Sequence, residues 1–280
     1  MRTAPLRRAR EPIASNLVST VRDLQRRKAR SRRGLALIEG VRLVEESLAA
    51  GLKFRGAIVA PDIARTARGS ALVGELERHA IPVEEVAART FAAVAETDTP
   101  QGILAVVEPP RWSPEDISLG RRRPALVIDG VQDPGNVGTL IRTAHALGAA
   151  GTIVLRGSAD ALSPKALRAA MGATFRHPVV PMDDAAFLAW ASAHAATLWA
   201  AAADGVPLHR ALSAAGKGTE ETGNAAGPIA VIVGNEGAGI RPQLNAVSAE
   251  RVAIPLAQGA ESLNVAVAAG ILLYEVTRGR

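Results

Sequence analysis

The chain has 280 residues, a formal net charge of +6 and no cysteine, which excludes disulfides, thiolate metal sites and cysteine nucleophiles. Its longest apolar stretch, Val265 to Tyr274, covers about ten residues, whereas a membrane-spanning helix needs roughly 20. We therefore expect a soluble cytoplasmic protein, without a membrane span or a metal site, whose length allows two α/β domains.

Residues 1–33 form a strongly basic segment. They carry eleven Arg or Lys against two acidic residues, a charge of +9 that leaves −3 for the remaining 247 residues. Leu17, Val21 and Leu24 follow helical spacing, so we expect a helix with one basic side. Such a side suits a polyphosphate partner. A solvated tail or an organelle-targeting peptide stays open, because the first ten residues lack acids.

Residues 34–107 are predicted to form a small α/β domain. Strand-like runs alternate with helical patterns such as Val41 to Ala50, which ends at Gly51. The predicted strands are Leu35–Ile38, Ala57–Ala60, Pro82–Val86 and Ile103–Val107. Prolines, Trp112 and three consecutive arginines interrupt the periodicity over residues 108–123, which predicts an interdomain linker.

Residues 124–280 are predicted to form a second α/β domain around a parallel sheet. The continuous apolar run Ala125–Ile128 is typical of a buried parallel strand. Further strands are predicted at Thr152–Leu155, Thr197–Ala202, Ile229–Val233 and Arg251–Ile254. A surface loop is predicted between Asp204 and Gly227, and a closing helix from about Ser262 to Arg278.

A first motif, Asp129 to Ala144, leaves a strand, turns through Gly and Pro and enters a helix. Asn136 and Arg142 lie six residues apart, less than two helical turns. Both side chains can therefore point toward the carboxyl end of the strand, where open α/β sheets bind ligands. The alternative is that Asn136 only caps the helix and that Arg142 lies on its solvent-exposed face.

A second motif, Ile229 to Ile240, is an apolar strand that runs into a glycine loop with one carboxylate, Glu236. Glycines let a ligand contact the backbone. The spacing fits neither the dinucleotide fingerprint nor a Walker loop, which disfavours a nicotinamide oxidoreductase on a doubly wound sheet.

A third motif, Ile254 to Glu275, is a short strand, a loop and a helix rich in small residues. Ser262 is a plausible N-cap of that helix. Ser262 and Asn264 can either serve a site or only satisfy helix-terminal amides, and the two interpretations are compatible.

In this order the three motifs resemble the SpoU/TrmH family of RNA 2′-O-methyltransferases. The resemblance implies an N-terminal L30e-like α/β domain, a C-terminal trefoil-knotted α/β-knot domain of SPOUT type, and a homodimer. It also implies S-adenosylmethionine as cofactor. The main chain around Gly234, Ile254 and Leu263 would bind it. The matched polar positions, taken as catalytic, are Asn136, Arg142, Glu236, Ser262 and Asn264.

Two departures from the family pattern, Leu256 where methionine is common and Ala266 where serine is common, leave the polar set complete. A guanidinium does not readily release a proton, so Arg142 is expected to orient a phosphate and stabilise the developing alkoxide. The hydroxyl proton would pass to a phosphate oxygen, to water or to Glu236.

The polyphosphate partner would then be RNA. The predicted RNA-binding side chains are Arg22, Arg26, Arg27, Lys28, Arg30, Arg32 and Arg33. The extra N-terminal domain favours 23S ribosomal RNA over transfer RNA. A catalytically inactive RNA-binding protein of the same architecture is the alternative, and the complete set of polar motif residues argues against it.

Overall fold

The computed structural model describes residues 14–120, 122–216 and 227–278, without the side chains of residues 14–16 and 214–216. The chain divides into two compact units, one of residues up to Glu45 with Lys53–Glu108, the other of Glu46–Leu52 with Pro109 onward. The domain boundaries expected at residues 33, 107 and 123 stay a prediction. Among the described helices, none has the length and apolar character that a membrane span requires.

The first unit is built on a four-stranded sheet in the order β1-β4-β2-β3, in which only β2 and β3 pair in parallel. Its strands are β1 (Ala36–Glu39), β2 (Lys53–Val59), β3 (Val83–Glu85) and β4 (Ile103–Glu108). The helices up to β4 are α1 (Ala14–Leu24), α2 (Arg27–Arg33), α3 (Val41–Ala49), α4 (Ala67–Arg78) and α5 (Ala88–Ala92). The apolar spacing of α1 works as predicted, because Leu17, Val21 and Leu24 pack into the core beside the sheet.

The single basic helix expected near the N-terminus is instead two helices, α1 and α2, with a break at Gln25 and Arg26. Arg30 stabilises the break. It is only 5% exposed, and its Nη1 donates to the carbonyl oxygens of Leu24 (2.8 Å) and Gln25 (2.7 Å). These carbonyls end α1 and have no partner within the helix. The burial of Arg30 argues against its predicted contact with RNA.

The second unit is a six-stranded, fully parallel sheet in the order β10-β8-β9-β5-β6-β7. Its strands are β5 (Ala125–Ile128), β6 (Gly151–Leu155), β7 (Val179–Met182), β8 (Thr197–Pro207), β9 (Ile229–Val233) and β10 (Glu250–Ala253). Its helices are α6 (Pro134–Ala146), α7 (Pro164–Ala170), α8 (Asp184–Ala193), α9 (Leu208–Gly216), α10 (Pro242–Val247) and α11 (Val265–Thr277).

Both faces of this sheet are covered, which explains its unbroken apolar strands. Leu126 and Ile128 belong to the core with α6 and α11, whereas Ala125 and Val127 belong to the core on the opposite face with α8. Successive side chains of a strand point to opposite faces, so a strand buried on both sides needs apolar residues throughout.

One strand was not predicted. β7 contains Pro181, and a proline interrupts the ladder of a central strand because it has no N–H. β7 lies at the edge of the sheet and pairs only with β6, where a missing donor is tolerated. Pro181 argues against a strand in the sequence, but it is compatible with a strand at the edge of the sheet.

The prediction of a surface loop between Asp204 and Gly227 is wrong for the first part of that range. β8 continues to Pro207 and is followed by α9, whose Leu208 and Ala211 are buried. Residues 201–205 leave the ladder, because Arg251 pairs with Ala200 and the next residue of β10 pairs with Val206. Residues 217–226 of the predicted loop lie outside the described residues.

The closing helix begins at Val265, three residues later than predicted, and its N-cap is Asn264 instead of Ser262. Asn264 Oδ1 accepts from the main-chain N–H groups of Ala266 (2.9 Å) and Val267 (3.4 Å). These two donors lack partners within the helix, which is why a short polar side chain is favoured there.

Candidate functional site

The three motifs meet at the carboxyl edge of the parallel sheet. Asp129 follows β5, Gly234 follows β9 and Ile254 follows β10. Because the strands are parallel and adjacent or nearly so in the sheet, the loops after them emerge on one side. The sheet topology therefore places all three loops at the position where open α/β sheets bind ligands.

The glycine loop after β9 is a tight, internally bonded turn. Asn235 and Gly239 exchange main-chain hydrogen bonds of 3.0 and 2.9 Å, and the Asn235 Oδ1 accepts from the N–H groups of Gly237 and Ala238. A Cβ on Gly234 would lie 2.3 Å from the carbonyl carbon of Gly239, so only glycine fits. The backbone of this loop is thus fixed before any ligand binds.

A cavity of about 400 Å³ opens between the loops, within the range of about 300–1,000 Å³ usual for small-molecule sites. It is lined by the bulged part of β8, by the glycine loop and by the segment from β10 to α11. The predicted site residues that line it are Gly234, Glu236, Ile254, Ser262 and Leu263. Leu256, which departs from the family pattern, also lines it.

Apolar and acidic groups dominate the wall of this cavity. Val233, Leu256 and Leu272 supply apolar surface, and the carboxylates are Asp204, Glu236 and Glu261. Arg251 also lines the cavity, and its guanidinium pairs with Asp204. The cavity therefore offers an apolar wall together with an excess of negative charge.

A hydrogen-bonded triad joins the three motifs. The Asn136 Nδ2 donates to Glu236 Oε1 (2.6 Å), and the Asn264 Nδ2 donates to Asn136 Oδ1 (3.1 Å). Asn136 is not the helix cap considered above, because Asp133 caps α6. Side chains that are separated by 100 and 128 residues in the sequence thus form one polar chain.

Arg142 does not join this triad. It is exposed, and its guanidinium makes no hydrogen bond or ion pair with a described residue. On α6 its position lies about 9 Å along the axis and about 120° around it from Asn136. Arg142 therefore lies on a different side of α6 from Asn136, because six residues correspond to a whole turn plus two thirds of another, and its role at the site stays a prediction.

An ion-pair network next to the glycine loop was not predicted. Asp129, whose side chain is fully buried, accepts from Arg241 through the main-chain N–H (2.9 Å) and through Nε (2.6 Å). The Arg241 Nη1 and Nη2 also donate to both oxygens of Asp184, at 2.8 and 2.7 Å. The pKa of Arg241 is raised, first by the hydrogen bonds to Asp184 and also by Asp129.

The N-terminal helices expose the rest of the predicted RNA-binding set. The exposed basic residues are Arg22, Arg26, Arg27, Lys28, Arg32 and Arg33. Asp23 pairs with Arg33 at 2.7 Å and with Arg32 at 3.8 Å, which offsets part of the positive charge. Residues 1–13, which hold the other basic residues of the segment, lie outside the described residues.

Comparison with known proteins gives two matching family profiles. Residues 123–274 match the SpoU rRNA methylase family, and residues 16–105 match the MRM3-like substrate binding domain. The 23S rRNA (guanosine(2553)-2′-O)-methyltransferase RlmP of Bacillus subtilis is 35% identical over 266 residues, which covers 95% of this chain and 98% of that protein.

Two crystal structures resemble the whole chain. The AdoMet-bound rRNA methyltransferase from Sinorhizobium meliloti is 28% identical with a TM-score of 0.76, and the match covers 95% of this chain and 96% of that one. The SpoU methyltransferase AviRb from Streptomyces viridochromogenes, in complex with AdoMet, is 27% identical with a TM-score of 0.77, covering 93% and 96%.

Proposed function

The chain belongs to the SpoU rRNA methylase family, and from that premise we propose that it transfers a methyl group from S-adenosylmethionine to a ribose 2′-hydroxyl of 23S ribosomal RNA. The observation that carries the proposal is the single site formed by the three motifs. The cavity and the triad adjoin each other, because Glu236 lines the cavity and also bonds to Asn136.

The lining of the cavity fits the proposed cofactor. S-adenosylmethionine supplies a methyl group that is activated by a positively charged sulfonium. The carboxylates of Asp204, Glu236 and Glu261 complement a cation, and the apolar wall suits the adenosine. Gly234, Ile254 and Leu263 line the same cavity, as expected for residues that hold the cofactor through their main chain.

The triad and Arg142 would divide the remaining work. Asn136, Glu236 and Asn264 would tie the three motifs together so that the ribose oxygen is held in line with the methyl group, and Ser262 lines the cavity together with Glu236. Arg142 is exposed and without a partner among the described residues, which leaves its planar guanidinium available for an RNA phosphate. It would stabilise charge that develops on the oxygen, while the proton passes to a phosphate oxygen, water or Glu236.

Two alanine variants of the glycine loop test the cofactor site. In Gly234→Ala the new Cβ would meet the backbone of Gly239, so we expect S-adenosylmethionine binding to be lost. Gly237→Ala is the matched control, because its Cβ would have only Asn235 Oδ1 nearby, at 3.6 Å. Calorimetric titration with the cofactor compares the two variants with the unchanged protein.

Mapping ribose methylation in ribosomal RNA, from cells with and without the gene, tests the reaction itself. One lost position would identify the target. An unchanged protein that binds RNA but neither binds S-adenosylmethionine nor methylates would overturn the proposal in favour of the inactive RNA-binding alternative.

We also propose a homodimer formed through α6 and α11. Val267, Ile271 and Tyr274 lie on one face of α11 and are 51%, 38% and 54% exposed. They border a groove whose other wall contains Thr139 and Thr143 of α6. An exposed apolar face of this kind marks an association surface, and a second copy would cover it with the same face.

Light scattering tests this dimer. A mass near 29.0 kDa at micromolar concentration would rule it out. Tyr274→Glu should dissociate the dimer, because it places a charge on the apolar face. Val247→Glu is the control, since Val247 is equally exposed (49%) but lies on α10.

A trefoil knot in the second unit is proposed on the path of the chain. After β10, at the edge of the sheet, the chain returns to α11, which packs against α6 and β9 near its centre. Stretching single molecules from their ends tests the knot, because a knotted chain reaches a shorter final length than 280 residues allow. Full extension would exclude the knot.

A further inference from the structure

We infer that Arg241 is a positioning residue for the proposed methyl transfer. By joining Asp129 to Asp184, Arg241 holds the glycine loop in its cofactor-binding shape. The inference rests on the proposed function. None of the three side chains lines the cavity, so they act through the loop and not by contact with the cofactor.

The loop is fixed at both ends to the segment after β5. At its start, the Asn235 Nδ2 donates to the Gly130 carbonyl oxygen at 3.0 Å. At its end, Arg241 donates to Asp129 through its main chain and its side chain. Because Asp129 and Gly130 are consecutive, both ends of the loop are held against one short stretch of backbone.

Asp129 is suited to this role by its burial and its two oxygens. Each oxygen accepts one hydrogen bond from Arg241, and the carboxylate is fully buried. A buried carboxylate paired in this way favours one arrangement strongly, because any displacement leaves a charge without partners in the protein interior.

Asp184 completes the arrangement from the first turn of α8. Its two oxygens accept from Nη1 and Nη2 of Arg241, which is the bidentate geometry that only a guanidinium offers. Arg241 thus uses Nε for Asp129 and the other two nitrogens for Asp184, so one side chain ties the loop to two separate elements.

Two isosteric variants test the inference. In Asp129→Asn an amide nitrogen replaces one oxygen and meets an Arg241 donor, so the KM for S-adenosylmethionine should rise about tenfold or more. In Asp184→Asn, at a side chain that is 32% exposed, the rise should be about threefold. The KM for RNA should stay unchanged, and kcat should stay within about threefold because saturating cofactor restores the loop.

Arg156→Ala is the matched control. It removes a neighbouring, exposed ion pair with Asp183 (3.5 Å), which precedes Asp184 at the same helix start. The KM for S-adenosylmethionine should not change in this variant. Hydrogen exchange provides a second readout: in the two Asn variants, but not in the control, the amides of residues 237–239 should exchange faster.

The outcome that overturns the inference is a folded Asp129→Asn protein with an unchanged KM for S-adenosylmethionine and unchanged loop exchange. If that variant does not fold, Asp184→Asn decides by the same two measurements. Failure of the proposed function is distinguishable, because the unchanged protein would then show no S-adenosylmethionine binding.

Discussion

Asn264 performs two tasks with different atoms, so substitutions can separate them. Its Oδ1 accepts from the N–H groups of Ala266 and Val267 and caps α11, while its Nδ2 donates to Asn136 at 3.1 Å. We expect the first task to affect stability and the second to affect the rate of methyl transfer.

Asn264→Asp keeps the cap and removes the donor. A carboxylate at a helix N-terminus is as good a cap as an amide oxygen, so the free energy of unfolding should be retained. Its second oxygen faces Asn136 Oδ1, and two acceptors cannot bond. A lost hydrogen bond is worth about 0.5–1.5 kcal/mol, which corresponds to a fall in rate of about 2- to 12-fold.

Asn264→Ala removes both the cap of α11 and the hydrogen bond to Asn136. It should show a similar fall in rate and also a loss of about 1 kcal/mol in the free energy of unfolding, because two N–H groups lose their acceptor. Urea denaturation measures the free energy of unfolding of both variants, and single-turnover methyl transfer at saturating S-adenosylmethionine measures their rates. Wild-type turnover in Asn264→Asp would refute the bracing role, and equal destabilisation of the two variants would refute the capping argument.

Three other predictions address separate parts of the chain. Arg142→Lys and Arg142→Ala should each lower single-turnover rates by about 10² to 10³ while S-adenosylmethionine still binds, and near-normal turnover in the alanine variant would contradict this role. Replacing the exposed Arg26, Arg27 and Lys28 with Ser should weaken RNA binding and flatten its salt dependence while cofactor binding stays intact, and unchanged RNA affinity at moderate salt would argue against this role. Burial lowers the pKa of His177 from 6.5 to about 4, so the unfolded chain binds the extra proton first as pH falls. Stability should therefore decline between pH 6.5 and 4, by up to about 3 kcal/mol, and denaturation of His177→Gln should show a shallower decline.

The sequence was most informative where one local signal is sufficient. β5 and β9 have the predicted bounds, because a strand buried on both faces is a continuous apolar run. β7 was missed because its proline contradicts a central strand, and α9 was missed because small and polar residues are also typical of loops. In both cases the structure of the segment depends on where it lies in the sheet or in the core. The local sequence pattern gives no information about that location.

The candidate site shows the same division. Five of the residues that line the cavity and the three residues of the triad were named from the order of three motifs, which carry their chemistry in short contiguous stretches. Arg241 and Asp129 are 112 residues apart, and neither stands out locally. A basic residue after a glycine loop and an acid after a strand gain meaning only when the fold brings them together, so this pair required the structure.

The geometry of the site depends on side chains that come from three different elements of the second unit. Asn136 lies in the first turn of α6, Glu236 in the loop after β9 and Asn264 at the N-cap of α11. Catalytic geometry must hold to a fraction of an ångström, whereas isolated loops vary by more than that. The precision must therefore come from the rigid sheet together with the hydrogen bonds that tie the loops to it. Substitutions at Asp129 or Arg241, neither of which lines the cavity, should accordingly weaken cofactor binding through the position of the glycine loop alone.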